Sequence, residues 1–245
     1  MINVIKSNKS KNWGDMFGPV LIEKITGKKV STFIGKDSPK GTAYLVCGSN
    51  LIRANTNTEV WGAGFISEDH KTDGIPQRVH CVRGPKSDEY NIGKYGDPGL
   101  LAAELFPPTT PKSQYRLGVI HHYRASYRPL PDMDDEVLEV DMASGIQEAI
   151  DRINLCDCVA SESLHGLIIA DSLGIPSTWI PTRPSFEAHW FKFYDYFESV
   201  GRKIRSPFDS WWRFPESVIS SADCGDITQC VADLKETCPF EWRTK

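Results

Sequence analysis

Ser161, Ser163 and His165 stand at alternate positions in the stretch CVASESLHGLIIADSLGIPSTWI, Cys158 to Ile180. An apolar run precedes them and a helix-like run succeeds them, so they fall where a strand hands over to a helix. Unpaired N–H groups at a helix start carry partial positive charge, serine hydroxyls donate, and a histidine adds a charge or a proton. The loop Ser161–His165, with Leu164 inside it, therefore suits a phosphate or a carboxylate. Gly166 lets a backbone come close to a ligand. Glu162 would repel an anion unless it points away. The structural alternative is a helix cap with a packed histidine.

Other chemistry-bearing residues fall at similar places. In Asn12-Trp13-Gly14-Asp15, Asp15 either caps a helix or presents a carboxylate that accepts a proton from a sugar hydroxyl. Arg83 and Lys86 are cations on a turn built by Gly84 and Pro85, with Ser87 or Asp88 placed to cap the next helix. His121, His122 and Arg124 come after an apolar run. The two histidines face opposite ways on a strand, so at most one points into a cleft. Arg183 comes after another apolar run, whereas Lys192, set among aromatics at helical spacing, reads as structural.

These residues need a scaffold that collects loops. Short β-branched or apolar runs at Ile2–Lys6, Ala43–Cys47, Glu59–Gly62 and Arg78–Val82 read as strands. A helix opens at Asp15, with Phe17, Val20, Leu21 and Ile25 on one face, Pro19 in its first turn and Gly27 as its stop. After the proline-rich segment Leu105–Gln114, read as a linker, a further strand begins in YRLGVIHHY. Met142–Leu155 reads as helix, Cys156–Ala160 as strand, Gly166–Leu173 as helix, Ser177–Ile180 as strand and Asp226–Thr237 as helix. Strands alternating with helices make an α/β fold with a mostly parallel sheet, and in such sheets ligands bind at the strands' carboxyl ends. The expected division is 1–110 and 111–245.

With 40% hydrophobic and 24% charged residues, the 245-residue chain has a globular composition. Its net charge of −4 supplies no general field for nucleic acid. No apolar run approaches the roughly 20 residues of a membrane span, and Met1–Ser7 lacks the marks of a signal peptide. Seven cysteines at irregular spacing fit a reducing cytoplasm and suggest neither a disulfide framework nor a metal site. Trp211 and Trp212 read as packed, and the acidic stretch Pro131–Val137 as a solvated loop.

In order along the chain, NWGDMFGPVLIEKITG, VWGAGF, CVRGPKS, YGDPGLL, LGVIHHY, VASESLHGLIIADSLGIPS and FKFYDYFESVG resemble the polysaccharide pyruvyl transferase family. The resemblance runs from about residue 12 to about residue 201. It implies two Rossmann-like domains facing across a cleft, as in glycosyltransferase-B enzymes. It also implies pyruvyl transfer from phosphoenolpyruvate to sugar hydroxyls of a polysaccharide or its oligosaccharide precursor, commonly leaving a ketal, with no cofactor. By resemblance His165 is a phosphate ligand or general acid and Asp15 a base. Ser161, Ser163, Leu164, Gly166, Arg83, His121 and Arg124 lie on the donor side, and Asn12 and Gly14 on the acceptor side. Many relatives carry an arginine where Ser163 stands, so Arg124 or Arg183 compensates, or the donor is held differently. A lipid-linked acceptor would bring the protein to the inner face of the membrane. Two other readings are open: a sugar-nucleotide-dependent glycosyltransferase of the same architecture, and a non-catalytic saccharide-binding protein.

Overall fold

A computed structural model describes residues 1–7, 12–34, 39, 41–122, 134–181, 189–203, 207–208, 213 and 215–243. Arg124, Arg183, Trp211, Trp212 and the start of the acidic stretch lie outside them. The chain forms two compact units. The first comprises Met1–Gly99, Glu187–Gly201 and Ile227–Lys245, and the second Leu100–Phe186 and Arg202–Asp226.

In the first unit β1 (Ile2–Lys6) leads into α1 (Trp13–Thr26), then β2 (Val30–Ile34), β3 (Ala43–Leu45), β4 (Thr58–Trp61) and β5 (Arg78–Cys81). The strands lie in the order β2-β1-β3-β4-β5 and pair in parallel. α1 begins two residues earlier than expected because Asn12 is its cap: the Asn12 side chain accepts the Gly14 N–H at 3.0 Å. Pro19 therefore lies inside the helix rather than in its first turn. Gly27 ends the helix at φ 67°, a left-handed conformation that glycine adopts without a Cβ clash. Phe17, Leu21 and Ile25 are buried on α1, whereas Val20, expected on the same face, is exposed because the buried stripe centres on Leu21, Ile22 and Ile25. Ile5, Leu45, Val60 and Val82 belong to the sheet's own apolar cluster.

The second unit begins with the short α2 (Ala102–Leu105). It continues through β6 (Leu117–Ile120), β7 (Val137–Glu139), α3 (Ile146–Asn154), β8 (Val159–Ser161), α4 (Leu164–Leu173) and β9 (Ser177–Trp179). Its sheet is β7-β6-β8-β9, again parallel throughout. α5 (Phe191–Ser199) returns to the first unit, α6 (Pro215–Ser221) belongs to the second, and α7 (Thr228–Glu236) to the first.

The chain thus carries an α/β fold with two parallel sheets. The segment Leu105–Gln114 differs from the expected linker. Thr109 donates twice to the Asp151 carboxylate, and Asn154 donates to the carbonyls of Thr110 and Pro111, so the segment is strapped onto α3. Contacts instead divide the chain at Gly99, and its C-terminal third alternates between the units. No helix among the described residues is long and apolar enough to cross a membrane.

Candidate functional site

In the second unit the sheet order reverses between β6 and β8, which diverge to β7 and β9 on either side. Loops leaving the carboxyl ends of such a pair part in opposite directions and open a crevice. His121 comes directly after β6, and Ser161–His165 carries β8 into α4, so the stretch with the densest chemistry lies at this switch point.

Its local geometry is tightly set. The Ser161 hydroxyl accepts the Ser163 N–H at 3.0 Å and donates to the Ser163 carbonyl at 2.8 Å, closing the turn before the helix. Ser161 is fully buried, so its hydroxyl serves the loop rather than its surface. Half-buried Ser163 is the cap residue of α4, and its side chain makes no capping bond to the helix. Ser163 thus precedes the first helical N–H groups without its side chain bonding to them. Leu164 and His165 are buried in the first turn, His165 with 8% of its surface exposed. Glu162 is fully buried and turned toward the end of β6. It accepts the His122 N–H at 2.9 Å and lies 3.7 Å from the His121 ring. The carboxylate thus clamps the two loops together.

Gly166 has a different reason from the expected ligand approach. A Cβ there would lie 2.4 Å from the Ser161 hydroxyl and 2.7 Å from the Ile120 side chain. The bare backbone lets α4 seat directly on β6 and β8. At the other end of α4, buried Arg202 donates to both oxygens of Asp171, to the Ser177 hydroxyl and carbonyl, and to Asp223 at 2.8 Å. This network fixes the helix that carries His165. Its sequence signal is a charged residue, an aspartate, in the mostly apolar run GLIIADSLG.

The first unit holds the remaining expected residues, and several have structural work. Asp15 is 7% exposed and accepts the Ser7 N–H at 2.8 Å, tying the exit of β1 to α1. The cavity beside it is about 10 Å³, room for about one water rather than a sugar ring. This geometry does not present the open carboxylate expected of a base. Gly14 is buried in the first turn and Asn12 is occupied as the cap.

Arg83, expected at an anionic group of the donor, is instead completely enclosed. Its guanidinium pairs with Asp195 at 2.9 Å and also donates to the Ser49 hydroxyl and the Phe65 carbonyl. Asp195 accepts the Ser87 N–H at 3.0 Å and its hydroxyl at 2.7 Å, while Ser87 takes the Phe65 N–H. One buried hub thereby joins the loops after β3, β4 and β5 to α5. Gly84 packs so closely that a Cβ would fall 1.9 Å from the Asp195 carbonyl. Asp195 carried a signal too, as the acid within the aromatic run FKFYDYF. Lys86 pairs with Glu198 at 3.1 Å. The Lys192 ammonium lies 5.1 Å from the Phe193 ring centre, and burial, with the charge of Arg83 second, pushes it down to about 8.

All seven cysteines are free thiols, five of them buried, and burial pushes Cys156 and Cys158 up to about 12. Among the described residues no group of three or more His, Cys, Asp or Glu side chains is placed to hold a metal.

A family model described as polysaccharide pyruvyl transferase matches residues 44–184. The match runs from within β3 past β9 and takes in the loops at the β6/β8 crevice. An uncharacterized protein of Acanthamoeba polyphaga mimivirus is 29% identical over 208 residues, covering 79% of this chain and 72% of its own length. The succinoglycan biosynthesis protein ExoV of Rhizobium meliloti is 25% identical over 178 residues, or 68% of this chain and 51% of that protein. The matched part of this chain thus spans about half of the succinoglycan protein.

Proposed function

As the chain belongs to the polysaccharide pyruvyl transferase family, we propose that it moves the pyruvyl group of phosphoenolpyruvate onto sugar hydroxyls of a polysaccharide or its oligosaccharide precursor. Where two hydroxyls are in reach, the product is a pyruvate ketal. The reading carries with it the glycosyltransferase-B-like pairing of Rossmann-like domains that the resemblance implies.

The observation that supports it best is the convergence of His165, the Ser163 hydroxyl and the start of α4 at the β6/β8 switch point. Phosphoenolpyruvate is an enol ester carrying a phosphate and a carboxylate, so its anionic groups need N–H and O–H donors. In this reading the α4 terminus and Ser163 take the phosphate. Arg124, outside the described residues, adds charge, and His165 bonds the phosphate or acts as the acid. Protonation of the methylene carbon leaves an electron-poor carbon at the enol position, which a sugar hydroxyl attacks while losing its proton to a base. The bond from that carbon to the phosphate oxygen then breaks and phosphate leaves with the bonding pair. A second hydroxyl attacks the same carbon, gives up its proton to the departed phosphate and closes the ketal. Donors fixed beforehand around the leaving phosphate stabilise its charge without reorganisation.

The test is release of inorganic phosphate from phosphoenolpyruvate, with and without a panel of oligosaccharide acceptors. Acceptor-dependent release is expected, falling by about 10²-fold or more in His165→Ala with its melting temperature retained. Full activity in that variant would remove His165 from the mechanism. No release with any acceptor, together with no thermal stabilisation by phosphoenolpyruvate, would remove the donor and turn the question to nucleotide sugars.

A further inference from the structure

The first unit carries a cavity of about 590 Å³ that none of the residues assigned above lines, Lys86 excepted. It opens beyond the carboxyl ends of β4 and β5. Glu68, Asp69 and Lys71 come from the connection after β4, and Lys86 from the turn after β5. Trp190 and Tyr194, both half-buried, supply aromatic surface from the start of α5. We propose that this cavity is a saccharide subsite that receives a neutral pyranose ring. It is the acceptor's subsite if the transferase reading holds, and only that last identification rests on the reading.

Charge selects the ligand class. The two lysines on the wall are already engaged, Lys71 with Glu89 at 2.8 Å and Lys86 with Glu198 at 3.1 Å. Glu68 and Asp69 are exposed carboxylates on the same wall. An anion would meet those carboxylates and a cation would meet the lysines. A neutral polyhydroxylated ring suits both, because its hydroxyls donate to carboxylates and its C–H faces lie against aromatic rings. The volume falls within the roughly 300–1,000 Å³ usual for small-ligand sites.

The wall formed by α5 and Lys86 is also held still. Phe191, which lines the same cavity, packs on the apolar cluster of the first sheet. Tyr194 and Lys86 are chain neighbours of Asp195 and Ser87, two members of the buried Arg83 hub. A pocket whose walls are joined by a buried ion pair loses little freedom when a ligand enters, which favours weak-contact ligands such as sugars. On this account the hub is a positioning device.

The test is direct binding, by saturation-transfer NMR and calorimetry, of cellobiose, lactose and mannobiose at millimolar concentration, with choline and inorganic phosphate as charged controls. At least one disaccharide should bind. Its affinity should fall about tenfold in Trp190→Ala and severalfold in Asp69→Asn, with the melting temperature of Asp69→Asn unchanged. Binding unaffected by both substitutions would overturn the subsite, as would failure of every disaccharide to bind, or a charged control whose binding these two substitutions weaken more than they weaken the disaccharide's; phosphate held at the α4 loop is indifferent to both. The two proposals fail separately. Disaccharide binding without phosphate release sinks only the transferase reading. Acceptor-dependent release with an acceptor KM unchanged in both variants sinks only this subsite.

Discussion

Each unit is organised around a buried arginine–aspartate pair, and the two pairs are built differently. Arg83 and Asp195 have no exposed surface, and among the described residues Asp195 is the carboxylate that meets that guanidinium. Arg202 shares its charge between buried Asp171 and Asp223, whose side chain is 39% exposed. The first hub joins loops at the carboxyl ends of strands, and the second joins the far end of α4 to the start of β9. Both fasten a piece of chain that has just changed units: Asp195 lies in Glu187–Gly201, and Arg202 opens Arg202–Asp226. A buried ion pair is a poor source of net stability but is costly to break by half. The pair with one carboxylate should therefore be the more fragile.

That difference is open to direct attack. Asp195→Ala strands a charge in the interior and should cost about 3–5 kcal/mol, measured by urea denaturation. Asp171→Ala leaves Arg202 its second, half-exposed carboxylate and should cost about 2 kcal/mol. Equal losses would show that the second carboxylate does not share the load. The two close-packed glycines sharpen the same contrast. In Gly84→Ala the new methyl meets a backbone carbonyl that the hub holds in place, costing about 3 kcal/mol. In Gly166→Ala it meets the Ser161 hydroxyl and the tip of Ile120, side chains that yield more readily than backbone but at the cost of the Ser161–Ser163 bonds, and about 2 kcal/mol is expected.

The smallest effect depends on pH. Lys192 is depressed to about 8 by burial first and by Arg83 second. Between about 8 and the ordinary lysine value near 10.5, the unfolded chain keeps a proton that the folded chain has lost, so stability rises with pH. Lys192→Met removes that dependence. A shift of this size corresponds to about 3 kcal/mol, and with water reaching the half-buried side chain the variant should be more stable than the parent by about 1 kcal/mol at pH 7, an advantage that shrinks steadily toward pH 10. An unchanging difference across the window would mean that the ammonium is not strained by its surroundings.

The strands inside each sheet were legible because apolar, β-branched runs stood between turn residues. The edges were not. β2 carries Ser31 and Thr32 and comes after two lysines, and β7 ends in Glu139, so neither shows the apolar signature of a strand flanked on both sides. The loop Ser161–His165 was legible as a place where chemistry collects, since strand, loop and helix are continuous in the chain. The direction of Glu162 was not, because it is set by His121 and His122 at the end of a neighbouring strand. Arg83 misled for the same reason at longer range. Beside Gly84, Pro85 and Lys86 it looks like a surface cation, and its partner lies 112 residues away. The proline count of Leu105–Gln114 suggested a free linker, whereas its threonines bind α3.

The alternation of segments sets an order of completion during synthesis. The second unit begins at Leu100 but has its last strand-supporting piece once Asp226 has emerged. The first unit begins at Met1, yet α7 and the bond from the Trp61 indole to the Leu234 carbonyl come only afterwards. Vectorial folding usually closes the amino-terminal domain first. Here the five-stranded sheet would wait on the ribosome, its Arg83 without a counter-ion, until Asp195, 112 residues further along, had emerged behind it.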